Sequence, residues 1–291
     1  MSMARLSLGL FTVVGLAATA QAGDIWIGNA SGQIDRNAPL GTQTVFPTLC
    51  TQVNAMVAVG PKLYLADSFG SIWKLDTSTL SFDFMPQSFT TTSLAVHNGD
   101  LLAGSSDGKL RRIRVSDGVV LSTVTIGATV DALAVEGDTV FIGGHDTLIR
   151  KGAAASGSYT VIGACGGQVH SLAVNGGELL AAALDGKVYR INKATGQYLG
   201  TYLLPAGLGA PQVAMDGAFL VTGGVDGLLR WLNPITGAVQ FSTATCSDIR
   251  ALAVAPRCKV DTDRDGQLTA NDFSTFINVY AAASPHADIN S

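Results

Sequence analysis

The chain has 291 residues, of which 14% are charged and 47% are hydrophobic, and its formal net charge at pH 7 is −4. A weakly acidic chain with 18 lysines and arginines lacks the basic surface that binding to nucleic acid or to an anionic membrane requires. The composition therefore argues against a nucleic-acid-binding protein. The length is sufficient for one large all-β domain with a small appendage.

The first 22 residues have the pattern of a signal peptide. Arg5 supplies a positive charge, residues 6–18 are largely apolar and uncharged, and residues 20–22 (Ala-Gln-Ala) form a small-residue cleavage site. The apolar stretch is too short for a membrane span. We therefore predict export from a bacterial cell to the periplasm, the cell surface or the medium. Gly23 would be the first mature residue, with no membrane span after removal of the signal.

A short apolar sequence recurs along the chain and predicts a repeat architecture. It reads MVAV, SLAV, ALAV, SLAV, QVAM and ALAV, and it ends at Val59, Val96, Val135, Val174, Met215 and Val254. The intervals are 37, 39, 39, 41 and 39 residues, close to the length of one four-stranded propeller blade. No segment between residues 24 and 254 has helical periodicity of useful length.

Within the repeats, tight turns separate β-rich runs. In the unit that starts at Asp100, two such runs flank Asp107-Gly108 and a second pair flanks Asp117-Gly118. Asp-Gly between β-rich runs predicts a hairpin, for which we expect a type I′ turn with both central residues at positive φ. The fourth unit departs from this pattern, since it has His145-Asp146-Thr147 and no glycine.

The two ends of the repeat region predict how the ring closes. The first unit begins at Asp24 without an apolar element before it, and the last element, residues 250–254, has no strands after it. The C-terminal strand should therefore pair as the innermost strand of the blade begun at the N-terminus, which removes exposed sheet edges. We predict an all-β, six-bladed propeller over residues 23–256.

Two segments, DGKVYRINKATG (185–196) and FGSIWKLDTST (69–79), resemble the repeats of quinoprotein-like and WD-repeat propellers. The resemblance covers roughly residues 24–254 and implies architecture but no activity. Quinoprotein dehydrogenases have a tryptophan in most repeats, whereas this chain has only Trp26, Trp73 and Trp231. We therefore expect no PQQ cofactor.

Residues 257–291 differ in character and predict a calcium loop followed by a short helix. Positions 1, 3, 5, 7, 9 and 12 of a twelve-residue loop are Asp261, Asp263, Asp265, Gln267, Thr269 and Asp272. Ca²⁺ takes six to eight oxygen ligands, and this spacing wraps them around one point, with Gly266 at the sharp turn. Apolar residues from Phe273 to Tyr280 then recur at helical spacing.

This segment resembles a dockerin of the so-called GC type, found at the C-termini of some bacterial exported proteins. Asp272 stands where ordinary EF-hands have glutamate, and no helix precedes the loop. Dockerins contain two such loops, and residues 288–290 begin a second one before the sequence stops at Ser291. We interpret residues 257–291 as a partial dockerin-like EF-hand segment, and the resemblance implies attachment of the propeller to a surface or scaffold partner.

Ligands of propellers usually bind at the mouth of the central channel, near the starts of the innermost strands. The residues four before the repeat ends are Ala55, Thr92, Asp131, His170, Pro211 and Arg250. Of these, Asp131, His170 and Arg250 are candidate ligand-binding residues, and Asp131 would orient His170 if the latter acted as a base. No nucleophile or second carboxylate accompanies them, so we predict no catalytic residues.

Four cysteines in an exported chain make disulfides possible. Cys50, Cys165, Cys246 and Cys258 allow three complete pairings, and the sequence does not choose between them. We favour Cys50 with Cys246, because these residues lie in neighbouring connections on either side of the closing blade.

The favoured function is that of an exported, non-catalytic binding or scaffold propeller with a calcium-dependent anchoring segment. Its ligand would be a protein or a polysaccharide that the sequence does not identify. The alternative is an exported hydrolase or lyase that uses the channel mouth.

Overall fold

The computed structural model describes residues 24–38, 41–46, 52–154, 157–206, 208–209, 211–245 and 248–255. The strands of the first half are β1 Ile25–Asn29, β2 Ile34–Ala38, β3 Gly41–Phe46, β4 Val53–Val59, β5 Lys62–Asp67, β6 Ser71–Asp76, β7 Phe82–Pro86, β8 Thr91–His97, β9 Asp100–Ser105, β10 Lys109–Arg114, β11 Val120–Thr125 and β12 Val130–Glu136. Those of the second half are β13 Thr139–Gly144, β14 Leu148–Ala153, β15 Tyr159–Ala164, β16 Val169–Asn175, β17 Glu178–Ala183, β18 Lys187–Asn192, β19 Tyr198–Leu203, β20 Gln212–Asp216, β21 Phe219–Gly223, β22 Leu228–Leu232, β23 Val239–Ala244 and β24 Ile249–Val254. In these ranges no helix is long and apolar enough to span a membrane.

The strands form six four-stranded antiparallel sheets, each of which is one blade. Blade 1 has the order β24-β1-β2-β3, and blades 2 to 6 contain β4–β7, β8–β11, β12–β15, β16–β19 and β20–β23. The innermost strands β24, β4, β8, β12, β16 and β20 contact each other in that order around the central channel, and β20 contacts β24 to complete the ring. The predicted six-bladed all-β propeller is confirmed.

The pairing of β24 with β1 closes the ring. The two strands are antiparallel, with Ile25 opposite Val254 and Ile27 opposite Leu252. The last strand of the repeat region is therefore the innermost strand of the blade that the first strand begins, and β1 has a hydrogen-bonded partner on each side. This confirms the predicted mode of closure.

The hydrophobic core lies between the blades. Each contact between neighbouring blades holds a cluster of buried side chains, such as Trp26 and Ile34 of blade 1 against Val53 and Leu65 of blade 2. Strands in the middle of a blade are covered on both faces, so residues 179–183 of β17 are all fully buried instead of alternating. Because burial of a leucine or isoleucine contributes about 1.5–3 kcal/mol, the interfaces between blades dominate the stability of the ring.

The hairpins are where the sequence placed them, but the turn type is different. Between β9 and β10, Gly108 has φ of +75° whereas Asp107 is not at positive φ, and the Gly108 N–H donates to the Ser105 carbonyl at 3.2 Å. This is a three-residue loop with glycine at its left-handed position, a type I turn with a G1 bulge. The expected type I′ turn is therefore wrong, because three residues and not two connect the strands. Positive φ at two consecutive turn residues occurs at Asn98-Gly99, with 48° and 80°.

Blade 4 makes the same turn without a glycine. Thr147 has φ of +67°, and its N–H donates to the Gly144 carbonyl at 3.2 Å. A left-handed conformation costs a non-glycine residue about 1–2 kcal/mol, and a β-branched side chain at such φ is an outlier. Blade 4 therefore carries backbone strain that the glycine-containing turns avoid.

We predict that Thr147→Gly raises the free energy of unfolding by about 1 kcal/mol, since relief of strain exceeds the entropy cost of glycine. The matched control is Gly186→Thr in blade 5, where φ is +78° and an added Cβ would meet no atom within 4 Å. That change should lower the free energy of unfolding by about 1–2 kcal/mol through conformation alone. Urea denaturation measures both variants, and a destabilised Thr147→Gly would contradict the assignment of strain.

Candidate functional site

The channel mouth lies where the innermost strands begin, and β-bulges direct its side chains. In β4, β8, β12 and β16 the register with the next strand shifts near the strand start. The residues at these bulges are Asn54, Thr92, Asp131 and His170. A similar shift lies at Arg250 in β24, opposite Gly28 and Asn29. A bulge leaves one residue outside the ladder and re-aims its side chain, so these residues point to the channel instead of into the blade interfaces.

A cavity of about 300 Å³ occupies the mouth. Six polar side chains, one from each blade, lie around it, namely Asn54, Thr92, Asp131, His170, Gln212 and Arg250. We call these six residues the mouth ring. Further along the same strands, apolar residues including Met56, Leu94, Leu133 and Leu252 continue the wall. The structure thus brings together the three residues that the sequence nominated, Asp131, His170 and Arg250.

Two other predicted mouth positions are displaced by one residue. Asn54 occupies the ring position of blade 2 instead of Ala55, because Val59 pairs with Lys62 as the last residue before the turn and the repeat ends one residue later than in other blades. Gln212 takes the position of blade 6 instead of Pro211, because β20 pairs with β21 without a register shift. The rule that takes the residue four positions before the end of each apolar repeat does not reveal either of these one-residue displacements.

Several residues at the mouth connect neighbouring blades through side-chain hydrogen bonds to backbone carbonyls. The bonds run from Asn54 Nδ2 to the Thr91 carbonyl at 3.3 Å, from Thr92 Oγ1 and Ser93 Oγ to the Val130 carbonyl at 2.7 Å, and from Ser171 Oγ to the Val213 carbonyl at 3.1 Å. Each joins the innermost strand of one blade to that of the next. At these positions the polar residue therefore has a structural role.

Asp131 does not fit this structural role. A carboxylate only accepts hydrogen bonds, so Asp131 cannot donate to the Val169 carbonyl, which is the equivalent acceptor on blade 5. Its side chain is 9% exposed, and Oδ2 lies 3.0 Å from Nε2 of His145 without the alignment of a hydrogen bond. Burial raises the pKa of Asp131, and the nearby His145 acts in the opposite direction. The fold alone does not require a carboxylate here.

The expectation that Asp131 orients His170 is not met, since His145 takes the place beside Asp131. Nδ1 of His170 lies 3.3 Å from Nε2 of Gln212 instead. Burial lowers the pKa of His170, and the charges of His145 and Arg250 lower it further. The sequence offered one signal for His145, because the β13–β14 turn must lie at the same end of the blade as the start of the antiparallel β12.

Arg250 faces Asp131 across the channel, since two blades lie between β12 and β24 in either direction around the ring. Its Nη2 donates to Oδ2 of Asp248 at 2.9 Å, and its Nε lies 2.8 Å from Oδ1. Asp248 thus occupies one edge of the guanidinium. The mouth therefore carries a carboxylate on one side and a guanidinium on the other, with neutral side chains between them.

Other predicted residues lie elsewhere or outside the described ranges. Cys165 is a buried free thiol away from the mouth ring, and burial together with Asp185 raises its pKa to about 12. Cys50, Cys246 and Cys258 fall outside the described residues, as do residues 1–22 with the predicted signal peptide and residues 257–291 with the predicted calcium loop. In the described part of the chain no three His, Cys, Asp or Glu residues form a group that could hold a metal ion.

We predict that Asp131→Asn raises the free energy of unfolding by about 1 kcal/mol, because the amide supplies the missing interblade donor and removes a buried charge. The loss of the contact between the carboxylate and His145 costs little, since His145 is 53% exposed. The reverse change, Asn54→Asp, should lower the free energy of unfolding by about 1–3 kcal/mol. Urea denaturation at neutral pH compares the two, and equal destabilisation would show that Asp131 is structural.

The comparisons with known proteins agree with the fold. A family model for PQQ_2, described as outer membrane protein assembly factor BamB, matches residues 106–261, more than half of the chain. No curated protein matches. A chain from the crystal structure of a nidogen/laminin complex is similar with a TM-score of 0.72 and 10% identity, over 81% of this chain and 100% of that one. The computationally designed Ika8 protein has a TM-score of 0.52 and 18% identity, over 76% of this chain and 74% of the other. At sequence identities of 10% and 18%, these similarities support the fold and say nothing about function.

Proposed function

The chain belongs to the PQQ_2 family, that of the outer membrane protein assembly factor BamB, and on this premise we propose that it is an exported, non-catalytic propeller that binds a polar ligand at its channel mouth. The observation that carries the proposal is the mouth ring, in which each of the six blades contributes a different polar side chain to one cavity. Equivalent positions with unlike side chains turn a symmetric scaffold into a specific site.

The hydroxyl groups at the mouth support a binding role over a catalytic one. A serine or threonine nucleophile must give its proton to a nearby base. Ser93 and Ser171 donate instead to the carbonyls of Val130 and Val213, and Thr92 also donates to Val130. These hydroxyls are held as structural donors, so the mouth histidines have no activated nucleophile among them.

Neither the thiol of Cys165 nor the carboxylate of Asp131 supplies an activated nucleophile. Cys165 has a pKa raised to about 12, so its reactive thiolate form is scarce at neutral pH. Asp131 has His145 beside it, and the Asp248 carboxylate is paired with Arg250. Among the described residues, the mouth therefore offers no activated side-chain nucleophile, which supports the binding role over covalent hydrolysis. We also expect no PQQ cofactor.

The family supports export and a role among other proteins. An outer membrane assembly factor acts outside the cytoplasm, which agrees with the predicted signal peptide in residues 1–22. We infer that the mature chain acts in the periplasm, at the cell surface or in the medium, and that its partner is a protein or a polysaccharide with a polar group for the mouth.

Anchoring through calcium is the second part of the proposal. The loop from Asp261 to Asp272 has the ligand spacing of an EF-hand, and its resemblance to dockerins implies a surface or scaffold partner. The propeller would then be the ligand-binding part and residues 257–291 the attachment.

Chromogenic esters, phosphates and glycosides test the non-catalytic part. We expect the mature chain to release no more chromophore than the double variant Asp131→Asn, His170→Gln. Turnover by the natural chain that the double variant loses, with an unchanged circular dichroism spectrum, would establish the hydrolase alternative.

Calcium titration tests the anchoring part. Isothermal titration of Ca²⁺ into the chelator-treated full mature chain should show one site, which the double variant Asp261→Ala, Asp265→Ala loses because two loop carboxylates are removed. The control is Asp117→Ala, an aspartate that is 43% exposed in the β10–β11 turn, and this variant should bind as the natural chain does. Absence of binding by the natural chain would refute the calcium anchor.

A further inference from the structure

We propose that the channel mouth binds a small zwitterionic ligand, with its ammonium group at Asp131 and its carboxylate group at Arg250. This inference rests on the proposed function of the mouth as a binding site and names the chemical class of its ligand.

The placement of charge around the mouth is the first argument. Asp131 on β12 and Arg250 on β24 are three blades apart in a ring of six, so they lie on opposite sides of one cavity of about 300 Å³. That volume suits a ligand of amino-acid size, at the small end of binding pockets. Asn54, Thr92 and Gln212 lie between the two charged residues and offer neutral hydrogen-bonding groups.

Asp131 is the residue that binds the ammonium group of the ligand. Its side chain is 91% buried, lines the cavity and makes no interblade hydrogen bond. His145 Nε2 lies 3.0 Å from Oδ2 without forming a hydrogen bond, so the carboxylate can accept a hydrogen bond from the ligand. Since burial raises the pKa of this carboxyl, a cation that reaches it replaces lost hydration. Hydrogen bonds between ammonium and carboxylate are among the stronger ones in proteins.

Arg250 is the residue that binds the carboxylate group of the ligand. Asp248 takes the edge formed by Nε and Nη2, which leaves Nη1 for a second acceptor, and the Arg250 side chain is 35% exposed. Arg250 also contributes to the lowered pKa of His170, two blades away around the mouth. A ligand carboxylate at this side of the mouth can therefore accept a hydrogen bond from Nη1 of the guanidinium.

The two charges together select against simpler ligands. A ligand with only an amine leaves Arg250 without a partner in the cavity and a ligand with only a carboxylate is repelled by Asp131, so each loses part of the electrostatic gain. A neutral sugar satisfies neither group as well as an opposite charge does. The mouth thus favours a molecule that carries both charges, spaced across the cavity.

Isothermal titration of the full mature chain with ω-amino acids of graded length tests this. The probes are glycine, 4-aminobutyrate and 6-aminohexanoate, and the single-charge analogues are hexylamine and hexanoate. We expect one chain length to bind best and each single-charge analogue to bind at least about tenfold more weakly. Asp131→Asn and Arg250→Gln should each weaken the best probe by about tenfold or more, while Arg250→Lys should retain part of the affinity.

Two control variants remove like charges away from the channel. Arg112 on β10 and Asp100 on β9 form an ion pair in blade 3, so Arg112→Gln and Asp100→Asn should leave the affinity for the best probe unchanged. An equal loss in these controls would mean that the mouth charges act through overall stability, and it would overturn the inference. Thermal unfolding of each variant verifies that the ring is intact.

The outcomes separate this inference from the broader proposal. Absence of binding by any zwitterion at about 10 mM, or equal binding of hexylamine and 6-aminohexanoate, overturns the zwitterion assignment. In that case a panel of neutral oligosaccharides is titrated. Binding that Asp131→Asn weakens would keep the mouth as a site for another ligand class, whereas absence of binding in both panels would reject the mouth as a small-molecule site altogether.

Discussion

The antiparallel pairing of β24 with β1 joins the two ends of the repeat region in one blade, and the rest of the ring depends on it. Blade 1 packs Ile25 and Ile27 against Trp231 of blade 6 on one side and Trp26 against Val53 of blade 2 on the other. If β24 left its place, both interfaces would lose their innermost layer. Because the stability of a closed ring is shared among all its interfaces, opening one of them exposes apolar surface along two blades.

The same pairing also completes the channel mouth, since β24 supplies Arg250. At the mouth, the β-bulge has two structural consequences. Each bulge frees a residue from the ladder, and where that residue is a donor, as Asn54 and Thr92 are, it connects its blade to the next. Where the residue is Asp131, the connection is given up and a buried carboxylate remains. Residues that make a fold less stable than an alternative residue would are expected mainly at functional sites.

The blades also show how equivalent positions keep a contact while the chemistry changes. The turn between the second and third strands carries an aspartate in blades 3 to 6, and it bonds to the residue four positions later. That residue is Arg111, Arg150, Tyr189 or Arg230. In blade 2 the indole of Trp73 donates to Asp67 instead. The contact holds the turn against the third strand whichever donor is used, so the blades share this geometry although the donor residue differs.

The sequence by itself determined the number of blades, the position of the hairpins and the mode of closure. These depend on the spacing of apolar elements near 39 residues and on glycine at turns, which are local properties of the chain. It also nominated Asp131, His170 and Arg250, because every innermost strand begins at the same end of a propeller.

Only the tertiary structure decided which residues meet at the mouth. In blade 2 the apolar repeat ends one residue later relative to the turn, so Asn54 lines the cavity instead of Ala55. In β20 the absence of a bulge brings in Gln212. His145 pairs with Asp131 across the sheet from a different turn. The physical reason is that a register shift of one residue reverses which face a side chain occupies. Such a shift depends on how the blades pack against each other, and the spacing of apolar residues along the chain does not record it.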